Sequence, residues 1–83
     1  MTYQILVVLE KADKNYSAYA PDVPGCIATG STVEETFETM QQALKEHLEW
    51  MARDGDEMPE ISAVEAYLVN VDVSVPVNIA SGS

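Results

Sequence analysis

Residues 16–35, YSAYAPDVPGCIATGSTVEE, leave few topologies open to the chain. Tyr16, Ala18 and Ala20 alternate with Ser17 and Tyr19, the period of two that marks a half-buried strand. Pro21 and Pro24 then fix φ at two positions and remove two backbone donors, so sheet pairing stops there. Asp22 can bond the backbone two residues on, and Gly25 can take a positive φ without steric cost. Residues 26–29 form a second short apolar run, closed by Gly30. Ser31, with Glu34 three residues later, predicts a capping box that opens a helix.

Around this stretch the remaining elements follow from periodicity. In residues 3–10, Tyr3, Ile5, Val7 and Leu9 share one face of a first strand, and Leu6 and Val8 make its other face partly apolar. A polar connection, 11–15, leads into the second strand. The spacing of Val33, Phe37, Met40, Leu44, Leu48 and Met51 predicts an amphipathic helix over 32–53, with acidic residues in its first turns and Gly55 just past its end. Residues 65–73 read as a last strand, with Tyr67, Val69, Val71 and Val73 on its core face. Pro76 breaks that strand, so the tail 76–83 is at best an edge or exchanged strand, or it frays. The expected fold class is therefore α+β, a β-β-β-α-β chain order in which one helix packs on one face of an antiparallel sheet. The domain occupies 1–75.

Fourteen acidic residues against four basic ones give a formal charge of −10. Such a surface repels a phosphate backbone, so direct nucleic-acid binding is not expected. It either keeps the protein soluble or attracts a basic partner. There is no apolar run long enough to span a membrane and no basic leader, which places the chain in the cytoplasm by default. A core this small gains from assembly. Apolar residues on the second strand face and at Val75, Val77 and Ile79 predict a homo-oligomer, a dimer or a tetramer.

The residues offer little catalytic chemistry. One His (His47) and one Cys (Cys26), far apart in sequence, form no zinc cluster. Cys26 has no nearby cation to activate it and reads as a core residue. The carboxylates are mostly on the helix and do not converge as a two-metal site requires. No metal, no cofactor and no enzymatic activity are expected. Tyr19, beside the rigid turn, and Trp50, off the helix stripe, are the aromatic candidates for partner contact.

The tyrosine-alanine strand, the PDVPGC turn, the Thr-Gly turn and the capped helix, followed by DGDEMPE, resemble the N-terminal domain of HicB-type antitoxins over roughly residues 3–75. The resemblance implies a fold similar to a truncated RNase H core, used for oligomerisation and partner binding. Many relatives add a DNA-binding domain, and a stand-alone form is expected of a chain that reaches only Ser83. The implied partner is a small basic HicA-type ribonuclease toxin, whose RNA-binding face an acidic antitoxin would mask. The expected contact residues are Tyr19, Asp22, Val23, Pro24, Gly25, Glu35 and Glu38. The alternative is an orphan oligomeric structural or ligand-sensing domain with no toxin.

Overall fold

The computed structural model describes residues 2–75. Its elements are β1 (Val8–Lys11), β2 (Tyr16–Tyr19), β3 (Ile27–Gly30) and α1 (Val33–Asp54). The three strands form one antiparallel sheet in the order β1-β2-β3. The helix packs on one face, chiefly on β3 and β2, and barely reaches β1. The chain thus has the expected α+β layout.

The register explains why β1 is shorter than the 3–10 predicted. Val8 pairs with Tyr19, and Leu9 with Ala18. Continued backwards, that register would set residues 2–7 against the turn that begins at Ala20. Pro21 and Pro24 have no N–H to give, so the first half of the predicted strand has no partner from β2. The turn itself is two bends in series. Val23 N–H donates to the Ala20 carbonyl at 3.0 Å, and Cys26 N–H to the Val23 carbonyl at 3.3 Å. In the second bend Pro24 is followed by Gly25 at φ 87°, the residue pair and sign of a type II turn.

The helix begins one residue later than the Ser31–Glu34 box predicted. Thr32 is the N-cap, and its hydroxyl accepts from the Glu35 N–H at 3.0 Å. Ser31 supports this cap by donating its hydroxyl to the Glu35 carboxylate at 2.9 Å. At the far end Gly55 takes a left-handed conformation (φ 75°), and the Asp56 N–H reaches back to the Met51 carbonyl at 2.9 Å.

Leu9, Ala18 and Ala28 lie in register under the helix and meet Met40 and Leu44, with Ala20, Val23 and Cys26 completing the core. Two alanines on the sheet, Ala18 and Ala28, let the helix approach closely. Gly30 tightens the approach further, because a Cβ there would lie 2.7 Å from Thr36 Oγ1 and 3.0 Å from its nitrogen. Thr36 is fully buried yet satisfied, its hydroxyl donating to the Thr32 carbonyl at 2.7 Å. The predicted apolar stripe is only partly covered. Met40 and Leu44 are buried and Leu48 and Met51 half-buried, but Val33 and Phe37 are exposed. A helix of 22 residues is about 33 Å long, whereas three strands at about 4.8 Å spacing make a sheet only about 10 Å across.

The largest departure concerns 65–73. This segment, expected as the last strand, is paired with none of the three strands and forms no strand. Its intended core face points into solvent, with Tyr67 77 % and Val71 71 % exposed. Periodicity gave this segment a strand pattern, but a pattern supplies no partner. Val75 is half-exposed, and the other tail residues expected at an oligomer interface, Val77 and Ile79, lie outside the described residues, as does the whole tail 76–83.

Candidate functional site

Alternation along the strands sends one row of side chains away from the helix. Val8, Tyr19 and Ile27 are paired across β1, β2 and β3, and on this open face Ile27 is 66 % exposed. Ile27 also lies on β3, whose outer edge carries no further strand among the described residues. Around that edge Ile27 borders a shallow depression with Gly25, Glu46, His47 and Trp50. Trp50 is 61 % exposed and stands one helical turn beyond Glu46, on the same flank. An apolar strip of Tyr19, Ile27 and Trp50 thus runs from the open sheet face to the helix flank, with the Pro24-Gly25 bend at its end and a carboxylate beside it. Large apolar side chains left exposed together mark contact surfaces more often than single ones do.

The sequence-predicted contact residues divide four ways. Tyr19, Pro24 and Gly25 are exposed and border the strip. Glu35 and Glu38 are exposed on the helix, but Glu35 is occupied by the cap. Val23 is only 2 % exposed and belongs to the core, so its side chain is out of a partner's reach. Asp22 is engaged within the chain. Its Oδ1 accepts from the Ser62 hydroxyl at 2.7 Å, and its Oδ2 from the backbone N–H groups of Ser62 at 3.0 Å and Ala63 at 3.1 Å. The Ser62 hydroxyl and then the Ala63 N–H hold the Asp22 pKa below its ordinary value, against a small opposing effect of burial. Asp22 is therefore an anchor for the segment after the helix, forty residues away in sequence.

Ile27 was not singled out from the sequence as a contact residue. Its run, CIAT, has the composition of a core strand, and only the pairing register shows which member faces outward. Cys26 is buried, and that burial pushes its thiol pKa up, away from nucleophilic use. Among the described residues no group of three or more His, Cys, Asp or Glu side chains could hold a metal ion. No helix there is long and apolar enough to cross a membrane.

The chain is a small α+β domain with a formal charge of −10 and an exposed strip of apolar side chains. Its sequence matches the family described as the HicB-like antitoxin of bacterial toxin–antitoxin systems over residues 3–79, and the chain belongs to that family. It is also 34 % identical over 62 residues to an uncharacterized 14.9 kDa protein of the rep–hol intergenic region of Haemophilus phage HP1. That alignment covers 75 % of this chain and 47 % of the phage protein, so the chain spans about half the length of the relative it matches. No solved structure matches.

Proposed function

We propose that this chain neutralises a small basic HicA-type ribonuclease toxin by covering its RNA-binding face. The observation that carries this reading is the strip of Tyr19, Ile27 and Trp50 beside Glu46, in a member of an antitoxin family with a formal charge of −10. The aromatic and aliphatic side chains supply the desolvated centre of the contact, with Pro24 and Gly25 at its rim. The bend loses little entropy on docking, because its prolines already restrict it. Glu38 and Glu46 draw in a basic partner over distance, an attraction that salt screens. The complex acts where the toxin meets RNA, in the cytoplasm.

The test is binding to a HicA-type toxin followed by stopped flow across a salt series, with RNA cleavage as the second readout. Wild-type chain should suppress cleavage at equimolar ratio. Glu38→Lys with Glu46→Lys should slow association and flatten its salt dependence, while Trp50→Ala should mainly speed dissociation. Cleavage that continues undiminished in the presence of the chain would sink the proposal and leave the orphan oligomer as the reading.

A further inference from the structure

Among the described residues β3 has a strand on one side only. Which of its backbone groups point away from β2 follows from the hairpin before it. The Ala12 N–H donates to the Asn15 carbonyl at 2.8 Å, so these two residues form a hydrogen-bonded pair one step beyond Lys11 and Tyr16. Bonded and non-bonded pairs alternate along an antiparallel ladder, so Ser17 and Tyr19 turn their N–H and C=O groups to β1. Tyr16 and Ala18 then turn theirs to Gly30 and Ala28 on β3. Ile27 and Thr29 are left with backbone donors and acceptors directed outward, along the open edge.

Natural sheets blunt such an edge with proline, charge or a bulge. Ile27–Gly30 carries neither proline nor charge and pairs with β2 at every residue, and Ile27 is largely exposed. The helix flank above this edge is aromatic and acidic. Glu46 and Trp50 stand one turn apart, with about 6 Å between their Cβ atoms, and with Gly25, Ile27 and His47 they border a depression of about 420 Å³. The Gln42 side-chain amide donates to Glu46 Oε1 at 3.0 Å and so orients the carboxylate. We propose that the partner docks by adding an extended strand to the outer edge of β3, with an arginine of that strand seated between Glu46 and Trp50.

The pleat connects the two parts of this site. A strand beside β3 sends alternate side chains to the helix side, those opposite Cys26 and Ala28, because these two residues themselves lie buried beneath the helix. Such a side chain rises between the sheet edge and the flank that bears Glu46 and Trp50. An arginine satisfies both at once. Its guanidinium stacks on the indole face and offers paired N–H donors to the carboxylate. The side chains opposite Ile27 and Thr29 fall on the open face, where an apolar one meets Ile27. Backbone pairing supplies affinity in this mode, and the seated side chain supplies specificity.

Charge selects the kind of partner. A second copy of this chain would bring its own formal charge of −10 to a seat that calls for a cation, whereas a basic protein brings the complement. The identity of that partner rests on the antitoxin reading, and the mode of docking goes beyond it.

Amide hydrogen exchange of the full chain, followed by NMR with and without a HicA-type toxin, reads the edge directly. In the free chain Ile27 and Thr29 should exchange about tenfold faster than the inward-bonded Ala28 and Gly30, and with toxin they should slow by about tenfold. Thr29→Pro removes one outward donor at a place where an edge strand tolerates proline. That chain should keep its helical circular dichroism and bind toxin about tenfold less tightly. Glu46→Gln should also cost about tenfold in affinity, whereas Glu34→Gln, an equal change of net charge on an exposed residue elsewhere on the helix, should cost less than about twofold. Equal losses for these two glutamates would overturn the arginine seat. Toxin that binds while Ile27 and Thr29 exchange unchanged, or a Thr29→Pro chain that binds as tightly as wild type, would overturn the strand addition and leave the antitoxin reading standing. A chain that binds no toxin would overturn both. Slow exchange of Ile27 and Thr29 in the free chain would overturn the proposal too, by assigning the edge to a second copy.

Discussion

Where α1 crosses β3, Gly30 brings the helix so close that even a methyl group would collide with Thr36. Toward β1 the same helix stands off and leaves Phe37 and Leu48 bordering an open groove. The two flanks are built from one amphipathic helix, and the difference lies in the strands. β3 is paired along its length with β2 and offers Ala28 and Gly30 to the helix. The segment before Val8 faces a proline turn that cannot pair with it, so the sheet ends at Val8. The first flank leaves only its outer side chains exposed, whereas the second leaves apolar side chains of the helix itself uncovered. In this molecule the first flank carries the aromatic strip and the second the groove.

Breaking the first flank should have the largest effect. Met40→Ala removes a fully buried side chain at the junction of helix and sheet and should cost about 2–5 kcal/mol in urea unfolding. For a domain whose total stability is on the order of 4–12 kcal/mol, that brings the chain to the edge of unfolding. A loss below about 1 kcal/mol would show that the flank is less tightly packed than its geometry indicates. Gly30→Val tests the close approach itself. The added carbons meet the backbone of Thr36 as well as its hydroxyl, so the helix must shift, at a cost of about 1–3 kcal/mol in the same assay.

The strip should respond in the opposite way, in binding and not in stability. Trp50→Ala is expected to change unfolding by no more than about 0.5 kcal/mol, because the ring is mostly in solvent. It should weaken the toxin complex by up to roughly 2 kcal/mol, read by calorimetric titration. Equal losses in both assays would mean that Trp50 is a structural residue.

The smallest effect is at the Asp22 anchor of the segment after the helix, and it depends on pH. The folded-state pKa of Asp22 is lowered by its hydrogen bonds to Ser62 and Ala63. The anchor is therefore at full strength above the ordinary value near 3.8 and is lost as pH falls through the lower, folded value. The amide resonances of Ser62 and Ala63 should move in that acidic window, and Asp22→Asn should abolish the transition while leaving the resonances of α1 in place. A midpoint at or above the ordinary value would show that the anchor does not hold in solution.

Much of the molecule was written in short-range terms that a sequence can carry. Pro21, Pro24 and Gly25 dictate the double bend through their own φ angles, and the spacing from Val33 to Met51 dictates the helix through its period. Even so, the cap fell at Thr32 and not Ser31, because both hydroxyls have a glutamate three residues on and only the final geometry chooses between them. The candidate contact set was legible in part. Tyr19 follows from strand alternation, whereas Ile27 joins it only through the β2–β3 register, and Trp50 only through the way the helix lies over β3. Val23 and Asp22 look like surface turn residues in sequence, and tertiary contacts make one a core residue and the other an anchor. Local conformation is set by each residue's own torsions and neighbours, so the amino-acid order determined the strand-turn-strand-helix sequence of elements. Which strands find partners is a long-range matter. Residues 65–73 have a strand's pattern, and the tertiary structure alone decided that this chain's own sheet leaves them unpaired.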